Sequence, residues 1–178
     1  MSNEELYFIA ILPPPFLSEK INTIKYDISE KYHCKHALKS PPHITLIPPF
    51  KLSSKKEPAL ANAIQTFNSQ SIQSFEIILN NYDVFLPKVV FINVINSPEL
   101  IAFQKEVEKY FRIHFNIVKD LPPRPFHPHI TIAFRDVKKH QTLDILNEVK
   151  QHFPIQEKFT LNNISLLKHN GSNWEVLV

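Results

Sequence analysis

The sequence writes one short strand twice. Residues 42–46 read Pro-His-Ile-Thr-Leu and residues 128–132 read Pro-His-Ile-Thr-Ile. Alternate residues of a β-strand point to the same face, roughly 6.5–7 Å apart. His43 and Thr45 therefore share one face, and Ile44 and Leu46 share the other. The second copy divides His129 and Thr131 from Ile130 and Ile132 in the same way. The aliphatic pairs tie each strand to an apolar interior, and the polar pairs face something else. Any fold for this chain must hold two matched strands that are apolar on one side only.

The segments around these strands also come in a repeated order. Residues 7–12 are apolar and end at Pro13-Pro14-Pro15, which predicts a strand. Leu17, Ile21, Ile24, Ile28 and Tyr32 then recur at helical spacing. After the first motif strand, Leu60, Ile64 and Phe67 mark a second helix, with Pro58 in its first turn. Two extended segments follow: Phe75, Ile77 and Leu79 alternate, and residues 89–95 are nearly all apolar. Ser97-Pro98-Glu99 opens the next helix, with a capping hydroxyl, a proline that needs no N–H partner, and a carboxylate at the positive end of the dipole. Its buried stripe is Leu100, Phe103, Val107, Tyr110 and Phe111. The second motif strand, 129–134, precedes a helix marked by Ile145, Leu146, Val149 and Phe153. Strands at 159–167 and 174–178 flank a turn at Asn170-Gly171.

Strand, helix, strand, helix, strand, and then the same again, predicts an α+β fold. We expect it to be bilobal, with two pseudo-twofold-related sheet-and-helix halves around a central groove. The halves cover about 1–84 and about 85–178, with the break near 84–88. No Pro/Gly/Ser linker separates them, so residues 1–178 are expected to form one domain.

Composition removes several classes of function. Gly171 is the only glycine, so no Gly-rich loop exists to cradle a nucleotide phosphate, and turns fall to Asn, Asp, Ser and the 15 prolines. Cys34 is the only cysteine, which excludes an internal disulfide and a multi-cysteine zinc site and fits a reducing, cytoplasmic setting. His33 and His36 beside it do not place three metal ligands together. The net charge of +3 is compatible with a phosphate-bearing ligand but lacks the clustered basic face of a duplex binder. The apolar run at 6–12 is too short to span a bilayer and has an acidic flank, so it reads as a buried strand, with no signal peptide and no membrane partner.

What remains is the chemistry of the repeated motif. An imidazole has an ordinary pKa near 6.5, so of two that converge on one point one acts as base and the other as acid. Threonine hydroxyls beside them donate to non-bridging phosphoryl oxygens. His43, Thr45, His129 and Thr131 are thus the catalytic candidates for work on a phosphodiester, with no metal and no cofactor required. Near the motifs, Arg124 and Phe126 in the proline-rich loop, and Phe50 with Lys51 after the first strand, are candidates for phosphate contact and base stacking. Tyr7 is read as core. His114, His140, His152 and His169 are read as surface residues.

The two HIT[LI] tetrads, each on a strand of one half, resemble the two-histidine (2H) phosphoesterase superfamily. The nearest branch is the bacterial 2'-5' RNA ligase-like proteins and their cyclic phosphodiesterase relatives. The resemblance runs over residues 7–178, and the motif pair is its specific part. It implies that His43 and His129 are an acid–base pair, that Thr45 and Thr131 bind phosphate, and that the groove lies between two lobes. It further implies hydrolysis of 2',3'-cyclic or 2'-5'-linked nucleotide or RNA-end phosphodiesters, by a protein expected to be a monomer. Many such members carry an arginine three residues after the second threonine. Here that place is Phe134, and Arg135 follows one step later; on a regular strand Arg135 shares the histidine face and Phe134 does not, so Arg135 is a candidate phosphate or ribose contact. An RNA-binding module with the same groove and little turnover, and a metal-dependent hydrolase, are the competing readings.

Overall fold

The computed structural model describes residues 3–117 and 125–178. The chain runs β1 (Glu4–Ile11), α1 (Pro15–Tyr32), β2 (Ile44–Ser53), α2 (Glu57–Gln70), β3 (Glu76–Phe85), β4 (Val89–Val94), α3 (Pro98–Phe115), β5 (His129–Ala133), α4 (Thr142–His152), β6 (Gln156–Thr160), β7 (Ser165–His169) and β8 (Trp174–Val176). The first ten of these spell strand, helix, strand, helix, strand twice, as the sequence predicts.

Local chemistry accounts for the boundaries. Pro15 opens α1 at the position where a missing N–H costs nothing, and His33 ends it in the left-handed conformation. Ser97 caps α3 by accepting from the Leu100 N–H at 3.2 Å, and Pro98 follows at the first position. Asn116, also left-handed, closes that helix.

The strands form two antiparallel four-stranded sheets, ordered β2-β1-β7-β8 and β5-β4-β3-β6. Each motif strand is an edge: β2 of the first sheet, β5 of the second, and the two edges approach each other. Helices α2 and α3 cover the first sheet, through β7 and β2, and α1 and α4 cover the second, through β5, β3 and β4. Each motif strand is therefore backed by the helix that leads into the other motif strand. This exchange makes the two lobes one body with a continuous core. Ile44, Ile130, Leu17, Ile21, Val107 and Phe111 are all fully buried in it. Truncating such a side chain to alanine costs roughly 2–5 kcal/mol.

One element departs from the sequence reading. The apolar stretch 159–167 is not a single strand. Its first part ends β6 in the second sheet, and its last part begins β7 in the first. The crossing is pinned by Asn68 of α2, whose amide donates to the Ile164 carbonyl and accepts from the Ile164 N–H, both at 2.9 Å. A run of buried residues looks alike whether it stays in one sheet or changes sheets, so hydrophobic pattern alone cannot show the crossing. Among the described residues, no helix is long and apolar enough to cross a membrane.

Candidate functional site

The edges of β2 and β5 bring His43, Thr45 and Thr131 to one groove of about 500 Å³. His129 stands half-buried at the head of β5, two residues from Thr131 on the same face. It is close enough that its charge bears on His43. The aliphatic partners point the other way, with Ile44 and Ile130 fully buried and Leu46 and Ile132 nearly so. The division of each motif into an inward and an outward pair is thus realised in the fold.

The two imidazoles are held by the same device. His43 Nδ1 lies 2.7 Å from the Pro41 carbonyl, and His129 Nδ1 lies 2.7 Å from the His127 carbonyl. A carbonyl only accepts, so each Nδ1 carries the proton and donates it. That fixes the tautomer and leaves Nε2 of each ring as the nitrogen free to exchange a proton. Each ring also rests on a phenylalanine of the neighbouring strand. His43 lies 4.7 Å from Phe8 of β1, and His129 lies 5.1 Å from Phe91 of β4 and 5.1 Å from Phe85, which packs on Phe91.

Their electrostatic settings differ. Burial pushes the His43 imidazole down to about 4, and the nearby charges of Lys25 and His129 push the same way, against the bond to Pro41. His129 is also lowered, by burial and then by His127, against its bond to the His127 carbonyl. Both rings are therefore poised on the neutral side at pH 7 until an anion arrives to favour the protonated form.

The remaining candidates separate. The second strand ends at Ala133, its pairing with β4 slips between Val90 and Phe91, and Arg135 adopts a left-handed φ of 62°. That irregularity lets both Phe134 and Arg135 line the groove, with the guanidinium 5.7 Å from the Phe134 ring. Phe50 does not reach the groove. It is 6% exposed in the core and packs on Tyr7 at 6.1 Å, because strand alternation puts it on the face of Ile44 and Leu46. Phe126 is half-buried against the same core, and Lys51 is exposed. Arg124 lies outside the described residues. Tyr7 is core, as read, with its hydroxyl donating to Glu57 at 2.6 Å.

Several groove residues carry no sequence signal of their own. His36 lines the wall with its ring 4.8 Å from Phe134. Trp174 stands edge-on to Phe8 at 4.6 Å and to His169 at 4.9 Å, and all three line the groove. His169 is thus a wall residue and not a lone surface histidine. Phe8 sits in an apolar run with no visible alternation, so its outward face appears only once the sheet is formed.

A family model described as the 2'-5' RNA ligase superfamily matches residues 13–173, which takes in both motifs and both lobes. The chain belongs to the 2'-5' RNA ligase superfamily. Similar proteins include a Bacillus pumilus protein provisionally named a phosphoesterase, 24% identical over 165 residues that span 90% of each chain. A Bacillus mycoides protein with the same provisional name is 26% identical over 144 residues, 80% of this chain and 76% of its own. Among solved structures, TT0787 of Thermus thermophilus shares the fold with a TM-score of 0.65 and 16% identity, covering 97% of this chain and 95% of its own. Escherichia coli LigT complexed with 3'-AMP shares it with a TM-score of 0.62 and 20% identity, covering 99% and 97%. LigT has also been solved with ATP and with NADP+. This chain carries the fold of the superfamily over nearly its whole length.

Proposed function

We propose that the protein is a metal-independent phosphodiesterase that opens 2',3'-cyclic or 2'-5'-linked phosphodiesters of nucleotides or RNA ends. The observation that carries this reading is the matched pair of imidazoles, each tied through Nδ1 to the carbonyl two residues before it. One Nε2 accepts a proton from water as the water oxygen bonds to phosphorus. The P–O bond to the leaving ribose oxygen breaks, and the other imidazole gives its Nε2 proton to that oxygen. The base ends protonated and the acid ends neutral, and exchange with solvent restores both. Thr45 and Thr131 donate hydroxyl protons to the non-bridging oxygens, and Arg135 and Lys39 at the groove add positive charge. The nucleotides found with LigT support a nucleotide ligand for the same fold.

The test is a panel of nucleoside 2',3'-cyclic phosphates and 2'-5'-linked dinucleotides assayed in chelator, with the position of the product phosphate determined. Turnover that persists in chelator is expected. Binding of these ligands with no turnover by the wild-type protein would mark a binding module instead, and loss of turnover on chelation would mark a metal-dependent hydrolase.

A further inference from the structure

A second cavity opens off the groove. It holds about 510 Å³ and shares three wall residues with the groove, Lys39, Ser40 and Trp174. Beyond them its walls include Asn22 and Tyr26 of α1 and Asn173 of the turn before β8. Pro41 lines it as well, and the carbonyl of Pro41 accepts the Nδ1 proton of His43. The cavity thus begins at the turn that holds the first imidazole and continues past it to α1.

Its walls are fixed by contacts of their own. The turn at Ser40 is tied to α1, because the buried ammonium of Lys25 donates to the Ser40 carbonyl at 2.7 Å. The turn before β8 is tied to itself: the side-chain carbonyl of Asn170 accepts from the N–H groups of Ser172 at 2.9 Å and Asn173 at 2.8 Å. Trp174, the one tryptophan of the chain, stands half-buried where groove and cavity meet. Phe8 and His169 meet it at 74° and 70°, so neither lies flat on the indole. At the α1 wall Tyr26 is 57% exposed, an aromatic ring that the fold leaves uncovered. A preformed cavity of this size, with two aromatic rings, a few amides that both donate and accept, and a lysine at its mouth, has the composition of a ligand site.

We propose that this cavity is a subsite for a second nucleoside, so that the protein acts on the end of an oligonucleotide in preference to a lone nucleotide. This rests on the phosphodiesterase reading above. The nucleotide whose phosphodiester is opened occupies the groove at His43. Its neighbour, one phosphate away, crosses from groove to cavity, with the linking phosphate at Lys39. The neighbour's base stacks on the rings of Trp174 and Tyr26, which suits any sequence because every base has a π-face. The amides of Asn22 and Asn173 meet its polar edge. A mononucleotide fills the groove alone and forgoes these contacts.

The test compares kcat/KM on a nucleoside 2',3'-cyclic phosphate with kcat/KM on a dinucleotide that ends in the same cyclic phosphate. Stacking of one more base should favour the dinucleotide by about 5- to 100-fold. Tyr26→Ala should cut that preference several-fold, and so should a dinucleotide whose outer sugar lacks its base. Phe16→Ala removes another exposed ring of α1, outside the cavity, and should keep the preference. Equal turnover of the two substrates by wild type would overturn the proposal and leave the phosphodiesterase reading standing. A preference that survives Tyr26→Ala or loss of the outer base would also overturn it, as would one that Phe16→Ala lowers as much as Tyr26→Ala does. If wild type opens neither substrate, the functional reading fails, and calorimetry with 3'-phosphorylated mono- and dinucleotides still tests the cavity. Tighter binding of the dinucleotide, lost in Tyr26→Ala, is the result expected there, and equal binding of the two would overturn the subsite.

Discussion

The two motif strands carry the same residue types in different surroundings. At the first, His43 lies on Phe8, donates to a carbonyl of a proline-locked turn, and has a buried ammonium behind that turn. At the second, His129 packs on the paired rings of Phe85 and Phe91, donates to the His127 carbonyl, and has His127 close by. The backbone device is duplicated, and the electrostatics are not. The comparison teaches that duplication builds the symmetric cradle, while the setting of each imidazole is fixed by residues outside the repeated pentapeptide.

The strongest way to break this comparison is to remove each imidazole in turn. His43→Ala and His129→Ala should each lower kcat/KM on a cyclic phosphodiester by about 10²–10⁴-fold, and the double variant should be little worse than either single one, because the two act as a unit. Steady-state assays of the three proteins check this. Thr45→Val and Thr131→Val should cost less, about 10–100-fold each, and mainly in kcat, since a hydroxyl aimed at a non-bridging oxygen matters most as charge moves in the transition state. Unequal losses at the two threonines would show which side of the phosphate carries more of that charge.

A third prediction concerns stability. Folding lowers Lys25 from 10.5 to about 8, so between those values the unfolded chain binds the extra proton. Stability therefore rises as pH increases from 8 to 10.5, and below pH 8 the burial penalty, about 3 kcal/mol, is present in full. Lys25→Met removes that penalty but also the bond that the buried ammonium donates to the Ser40 carbonyl at 2.7 Å. It should be more stable than wild type at pH 7 by about 1–2 kcal/mol, with the pH dependence above 8 flattened. Urea unfolding at pH 7 and pH 10 measures both. The smallest effect is expected at Arg135. Arg135→Ala at the exposed rim should raise KM a few-fold and leave kcat nearly unchanged, checked by the same kinetics with salt varied.

Much of this was legible in the amino-acid sequence, for identifiable reasons. The motif strands announce themselves because period-two alternation splits His and Thr from their aliphatic neighbours. The α3 start is explicit because Ser97-Pro98-Glu99 satisfies three separate demands of a helix N-terminus. Phe8 and Phe91 were hidden because both lie in continuous apolar runs, where alternation leaves no mark. Lys25 was hidden because one lysine on a helix with exposed neighbours reads as solvated, and only the path of the following turn brings a carbonyl to it. Phe50, by contrast, shares the even positions of Ile44 and Leu46, so alternation along β2 already directs it to the core. The exchange of helices between lobes is a tertiary choice, since each amphipathic face would suit either sheet.

The measurement that bears most directly on the account is the pH dependence of kcat/KM for a nucleoside 2',3'-cyclic phosphate, taken on the wild-type protein in chelator. His43 is held near 4 and His129 below the ordinary histidine value of 6.5. Activity should rise as the base loses its proton and fall as the acid loses its own, giving a bell with its maximum on the acid side of neutrality. A profile flat across this range, or activity that disappears with the chelated metal, would contradict a two-histidine acid–base pair.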